Sequence, residues 1–262
     1  MEKLLLSEIA HCLNAECPEE KVITEISTDT RNLPAGCLFI AIKGERFDGH
    51  AFIKQAIENG AAAAVSEYPV DGCPCIVVKN TRTALLKLAK YYRSKFNPVL
   101  VGITGSVGKT TTKEMIALVL SEKYKTLKTQ GNLNNEIGLP KTLFNLDSSY
   151  QAAVIEMGMS DFGEIERLSN TAVPTIGVIT NIGFSHIENL KSQEGILKAK
   201  LEILSGMKSD APLIVNGDDR YLAPLKLELK SSRSVYLYGT GDKCDFRAKN
   251  IIEENGITRF TL

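Results

Sequence analysis

The strongest chemical signal in the chain is a glycine-punctuated loop closed by Lys-Thr. Residues 102 to 112 read Gly-Ile-Thr-Gly-Ser-Val-Gly-Lys-Thr-Thr-Thr, directly after the apolar run 98–101. Small residues at such a turn let successive backbone N–H groups converge on phosphate oxygens. The lysine adds a mobile cation, and the hydroxyl after it offers an oxygen to Mg²⁺. On this spacing Gly105, Ser106, Val107, Gly108, Lys109, Thr110 and Thr111 form a nucleotide-phosphate cradle, with Thr110 or Thr111 turned toward the metal. A helix from Thr110 to about Ser121 then points its positive dipole end at the same phosphates. The loop departs from the general spacing at Ile103, where a glycine six residues before the lysine is usual. A glycine-rich turn with no ligand is the competing reading, and Gly-Lys-Thr at a helix start behind a buried strand argues against it.

Three further positions carry suitable chemistry. The apolar run Ala152–Ile155 ends in Glu156, which stands where a metal held by the phosphates needs an oxygen ligand. A solvated strand-end carboxylate is the alternative there. A second apolar run, 175–179, leads through Thr180-Asn-Ile-Gly183 to His186. Position alone leaves His186 open between a ligand and a structural histidine. On the helix expected over 192–207, Lys198 has Glu194 and Glu202 one turn away on either side, a solvated salt-bridged face. Lys200 shares its side with Ile196, Leu197, Ile203 and Leu204, which turns it toward the core. A buried lysine tends to shed its proton and become a nucleophile toward CO₂ or a carbonyl, whereas a half-buried one snorkels to solvent.

The elements that must position these groups are legible as alternating strands and helices. Over the first 95 residues a helical spacing covers 4–13, a β-rich run covers 37–42, and a helix over 50–59 stops at Gly60. Short buried strands follow at 62–65 and 75–78, then a helix over 81–95. The Asn97-Pro98 break marks a domain boundary. Beyond it, strands are expected at 99–103, 125–128, 152–157, 175–180 and 212–215, with helices near 110–121, 136–144, 162–169 and 192–207. The fold class is therefore α/β. A small N-terminal α/β substrate domain (1–96) precedes a P-loop central domain (97–262) whose mostly parallel sheet is flanked by helices. In such sheets ligands sit beyond the carboxyl ends of the strands, so the residues just after each strand are the ones that matter.

Composition narrows the partners. Lysine plus arginine and aspartate plus glutamate both number 31, so no whole-chain field favours nucleic acid or an anionic membrane, and an anionic ligand must be caught locally. Three consecutive leucines near the N-terminus are too few for a signal-peptide core, and no apolar run approaches the ~18 residues of a membrane span. Six cysteines without C-x-x-C spacing or a nearby histidine pair read as reduced cytosolic thiols.

Taken together, several strings resemble the Mur ligases of peptidoglycan synthesis. They are 102–114, Gly131-Asn-Leu-Asn-Asn-Glu-Ile-Gly-Leu-Pro140, Glu156-Met-Gly-Met159, Thr180-Asn-Ile-Gly183 with His186, and Ala199-Lys-Leu-Glu-Ile203. The block Ser27-Thr-Asp-Thr-Arg31 through Gly36 to His50 resembles the substrate domain shared by two successive members, and the likeness spans about residues 25–262. It implies a cytoplasmic, ATP- and Mg²⁺-dependent ligase of cell-wall biogenesis, with a monomer as the default expectation. Its substrates would be UDP-N-acetylmuramoyl-tripeptide and D-Ala-D-Ala, joined through an acyl phosphate. Residue by residue, it implies Lys109 on the β/γ oxygens of ATP and Thr110 and Glu156 at one Mg²⁺. His186 and Lys200, the latter carried as a carbamate, fall at a second. The same resemblance assigns Thr30, Arg31, Lys43, Asp48 and His50 to the UDP-sugar end, and Asn134 and Asn135 to the crevice near the pyrophosphate.

Asn132–Gly138 argues against the preceding ligase of the pathway, and the Ser27–His50 block argues against a folate-polyglutamate enzyme. Members of the family carry a third domain that the 262 residues do not include. The expectation is therefore that this polypeptide alone does not turn over. A module that binds precursor or ATP without ligating them is the competing class.

Overall fold

The structure, a computed structural model, describes residues 1–44 and 47–262. It divides into two compact units, Met1–Asn97 with Glu136–Ser149, and Pro98–Asn135 with Tyr150–Leu262.

The first unit is built on four short parallel strands in the order β3-β4-β5-β6. A two-residue antiparallel pair, β1 (Leu4–Leu5) with β2 (Val22–Ile23), lies apart from them. Of the strands β3 (Ile26–Ser27), β4 (Leu38–Ile40), β5 (Ala63–Ser66) and β6 (Cys75–Val77), β4 and β5 are connected through α2 (Ile53–Glu58), while α1 (Leu6–Leu13) lies between β1 and β2 and α3 (Thr81–Ser94) follows β6. Strands β4 and β5 are buried along their whole length, so they read as continuous apolar runs without alternation. Helix α3 begins where the Asn80 side chain accepts the Thr83 N–H at 2.8 Å, and it buries Leu85, Leu88 and Tyr92.

The second unit carries a seven-stranded, wholly parallel sheet. Its elements begin with β7 (Val99–Thr104), α4 (Lys109–Ser121) and β8 (Thr126–Lys128). After an excursion through α5 (Gly138–Leu143) come β9 (Ala152–Glu156), α6 (Glu164–Ala172), β10 (Ile176–Ile179), α7 (Ile187–Leu190) and α8 (Gln193–Leu201). Strand β11 (Leu213–Asn216), α9 (Leu225–Glu228), β12 (Val235–Gly239) and β13 (Phe246–Arg247) complete the sheet in the order β13-β12-β11-β10-β7-β9-β8. An antiparallel hairpin, β14 (Lys249–Glu254) and β15 (Ile257–Thr261), follows. The central strand β7 pairs with β9 on one side and β10 on the other, so three strand ends converge at residues 104, 156 and 179.

The excursion that holds α5 was expected in the domain 97–262, but its contacts lie with the first unit. The reason is Tyr92, fully buried, whose hydroxyl donates to the Leu146 carbonyl at 2.6 Å and whose ring meets Phe144 edge-on. All six cysteines are free. Among the described residues no helix is long and apolar enough to cross a membrane.

Candidate functional site

The glycine loop leaves β7 at Thr104 and enters α4 at Lys109. Gly105 adopts φ +152°, and a Cβ there would lie 1.8 Å from the Thr180 hydroxyl oxygen, so only glycine fits. Gly108 caps α4 in the left-handed region at φ 78°. The first helical hydrogen bond runs from the Thr112 N–H to the Gly108 carbonyl at 2.9 Å. The N–H groups of Lys109, Thr110 and Thr111 precede it and remain directed out of the helix start, an anion-binding arrangement.

The loop is held from the segment after β10. The Ser106 N–H donates to the Asn181 carbonyl at 3.1 Å. The Asn181 side chain accepts from the Val107 N–H at 3.0 Å and donates to the Val107 carbonyl at 3.1 Å. The Thr180 hydroxyl donates to that carbonyl as well, at 2.6 Å, and the Gly183 N–H donates to the Ser106 hydroxyl at 2.9 Å. Thr180 and Asn181 carry no assigned role in the sequence analysis. Their position just past a strand end is the signal that marks them.

Glu156 closes β9 and is 2 % exposed. One carboxylate oxygen accepts from the Thr110 hydroxyl at 3.0 Å and the other from the Asn134 amide at 2.8 Å. Asn134 comes this close because residue 158 is glycine: a Cβ there would lie 2.9 Å from the Asn134 amide carbon. A hydroxyl beside a buried carboxylate is a hard-oxygen pair of the kind Mg²⁺ prefers, so the residues present fit that ion. Lys109 folds back on the loop, donating to the Gly105 carbonyl at 2.8 Å. Burial pushes its pKa down, and the Glu156 charge opposes that shift.

Lys200 occupies the last turn of α8, a helix capped by the Ser192 hydroxyl and burying Ile196, Ala199 and Lys200. The lysine is 2 % exposed, so the helical-face reading of it holds over the snorkelling one. Burial, with the nearby Lys109 charge second, pushes its pKa down to about 7. Lys198 remains exposed, its ammonium 5.9 Å from the centre of the Phe162 ring.

Lys109, Thr110, Asn134 and Glu156 are thus brought together directly or through charge, and Lys200 lies within electrostatic reach of Lys109. His186 is exposed in a left-handed turn (φ 61°) at the start of α7. Asn135 is exposed in the bend that follows Asn134. Among the described residues no cluster of three histidine, cysteine, aspartate or glutamate side chains is placed to hold a metal ion.

In the first unit Asp48 and His50 engage each other, while Arg31 and Lys43 engage neighbouring residues. Arg31, largely exposed, pairs with Asp29 at 2.5 Å and holds that carboxyl well below the usual carboxylate range. The Lys43 carbonyl accepts twice from the Arg82 guanidinium. Asp48 accepts from the His50 backbone N–H at 3.0 Å and from the ring at 2.6 Å. His50 is buried, stacks on Tyr68, and accepts the Glu67 N–H on Nε2 at 3.0 Å. Nδ1 therefore carries the proton, and neither ring nitrogen of His50 is left over for a ligand. Thr30 is half-buried beside this segment.

A parallel sheet with a glycine-rich Lys-Thr loop on its central strand and a carboxylate on the adjacent strand end is the arrangement of a P-loop α/β domain. The chain belongs to the Mur ligase family: residues 103–262 match the Mur ligase middle domain and residues 22–93 match the catalytic domain of the Mur ligase family. It is 46 % identical over 248 residues to the UDP-N-acetylmuramoyl-tripeptide–D-alanyl-D-alanine ligase of Bacillus subtilis (strain 168), covering 93 % of this chain and 53 % of that one. The Escherichia coli (strain K12) ligase of the same name is 39 % identical over 265 residues, covering 100 % of this chain and 58 % of that one. Among solved structures, MurF from Acinetobacter baumannii superposes with a TM-score of 0.89 at 34 % identity, over 96 % of this chain and 56 % of that one. MurF ligase from Thermotoga maritima in complex with ADP gives 0.83 at 34 % identity, over 90 % and 55 %. The chain therefore spans about half the length of the relatives it matches.

Proposed function

We propose that this chain is the precursor-binding and ATP-activating part of a cytoplasmic ligase that joins D-Ala-D-Ala to UDP-N-acetylmuramoyl-tripeptide. The observation that carries the reading is the convergence of the phosphate loop, Thr110 and Glu156 in a chain 46 % identical, over 93 % of its length, to a ligase of that name. The solved relative that holds ADP supports ATP as the nucleotide. The paired hydroxyl and carboxylate support Mg²⁺.

The loop N–H groups and the helix start bind the β and γ phosphates, and the Lys109 ammonium moves from the loop carbonyls to their oxygens. Magnesium, when bound, offsets the negative charge on the transferring phosphoryl group. Thr110 and Glu156 are the residues that would hold it, and Asn134 keeps the carboxylate oriented. A carboxylate of the precursor displaces ADP from the γ phosphorus and becomes an acyl phosphate, whose carbonyl carbon is then open to the amine of D-Ala-D-Ala. Phosphate leaves, the amine loses a proton, and the amide results. Lys200, neutral above about pH 7, would add CO₂ with loss of a proton to give a carbamate, and that anion and His186 are the groups that would hold a second metal. The UDP end falls to Thr30, Arg31, Lys43 and Asp48, with Asn135 toward the pyrophosphate and His50 acting through Asp48.

Mass spectrometry of a mixture of this chain with ATP, Mg²⁺, UDP-N-acetylmuramoyl-tripeptide and D-Ala-D-Ala tests the reading. As one part of the ligase, the chain should hold nucleotide and precursor without forming pentapeptide, nucleotide being lost in Lys109→Ala, whereas ADP and UDP-N-acetylmuramoyl-pentapeptide formed together would show that it ligates alone. Precursor bound with no product confines the chain to donor and ATP binding, and neither binding nor product refutes the assignment.

A further inference from the structure

Lys113 is a charged side chain with no part in the chemistry above, yet it is 1 % exposed. Burying an ammonium costs several kcal/mol unless it is paired and hydrogen-bonded, so its partners are informative. Its Nζ donates to the Thr129 carbonyl at 2.8 Å and pairs with a Glu114 oxygen at 3.0 Å, and Glu114 also holds Lys128. Thr129, fully buried, lies just past β8. Its N–H donates to the Val154 carbonyl at 3.0 Å, and its hydroxyl accepts the Glu156 N–H at 2.9 Å. The Glu156 carboxylate in turn accepts from Thr110, three residues before Lys113 and on the same side of α4.

These bonds close a ring that leaves α4 at Thr110, passes through Glu156 and Thr129, and returns to α4 at Lys113. Thr129 is also the root of the loop that carries Asn134 to the second carboxylate oxygen. We infer that Lys113 and Thr129 are positioning residues that register the Glu156 carboxylate against the phosphate loop, so that the pair meets Mg²⁺ without first rearranging. The inference rests on the reading of Glu156 as a magnesium ligand. Partners of this kind, one step removed from a metal, typically cost about 10-fold or more in metal affinity when removed.

The experiment compares ADP affinity with and without Mg²⁺ by calorimetry, and hydrogen exchange at the Glu156 amide, in the wild-type chain, Lys113→Met, Lys113→Arg, Thr129→Val and Glu156→Gln. Lys113→Met and Thr129→Val should each cut the gain in affinity that Mg²⁺ provides by about 10-fold. They should leave the metal-free affinity within about twofold and speed exchange at Glu156. Lys113→Arg, which keeps a donor, should recover part of the gain. Thr129→Val keeps the carbonyl that Lys113 needs, so it tests the ring even if Lys113→Met fails to fold. A full magnesium effect in folded Lys113→Met or Thr129→Val overturns the inference while Glu156→Gln still loses it. A full effect in Glu156→Gln, or none in the wild-type chain, refutes the metal reading and the inference with it.

Discussion

Lys200 shows how one buried residue sets a chemical and an energetic property together. Its helix turns it inward among Ile196, Ala199 and Ile203, and the Lys109 charge lies within reach, so its pKa falls to about 7. Between that value and the ordinary lysine range the unfolded chain holds a proton at this site that the folded chain has released. Stability attributable to the group therefore rises with pH across that window, and the cost of burial is greatest below about pH 7. Lys200→Met removes the cost. In CO₂-free buffer it should stabilise the chain at pH 6 by a few kcal/mol and by much less at pH 10, read as the difference in urea unfolding free energy. A pH-independent difference would mean that Lys200 keeps its proton in the folded state. The periodicity of the helix was enough to select Lys200 over Lys198. It could not supply the neighbouring Lys109 charge, because that contact joins residues 91 positions apart.

At the scale of elements, the site is a meeting of strand ends braced by loops. Strand β7 presents the phosphate loop, β9 presents Glu156, and the segment after β10 straps the loop through Thr180 and Asn181. Asn181 makes two hydrogen bonds to the Val107 peptide, each worth about 1 kcal/mol net and more where a buried partner is left unmade. Asn181→Leu should weaken ADP binding by about 10-fold while changing the melting temperature little, because the sheet beneath is untouched. Unchanged affinity would show that the strap is dispensable to the loop. The strands were legible because buried parallel strands are short apolar runs: those expected at 99–103, 152–157, 175–180 and 212–215 fall at Val99–Thr104, Ala152–Glu156, Ile176–Ile179 and Leu213–Asn216. The straps were not, since an asparagine that clamps a peptide 74 residues away leaves no local pattern. The helix expected over 192–207 stops at Leu201 and continues as a tighter 3₁₀ turn over Glu202–Gly206. There the Glu202 carboxylate turns aside to cap the start of α6 by accepting the Gly163 N–H at 2.8 Å.

At the scale of the whole molecule, the residues proposed to bind nucleotide and those proposed to bind precursor fall largely in different units. The phosphate loop, Thr110, Glu156 and Lys200 lie in the second, and the polar segment from Thr30 to His50 lies in the first. The break at Asn97-Pro98 was visible as a dipeptide whose first residue is biased away from helix, which ends α3 before the chain enters β7. The return of Glu136–Ser149 to the first unit was not, because it depends on Tyr92 meeting Phe144 and Leu146 across some fifty residues of sequence. The central claim is that nucleotide and precursor are bound by separate sets of residues, with Lys109 serving only the nucleotide. Calorimetric titration of wild-type chain and Lys109→Ala with ADP·Mg²⁺ and, separately, with UDP-N-acetylmuramoyl-tripeptide tests it most directly. The account predicts that Lys109→Ala loses roughly 100-fold or more in nucleotide affinity, the worth of a charge-assisted phosphate contact, and keeps its precursor affinity. Equal loss of both ligands, or undiminished nucleotide binding, would contradict it.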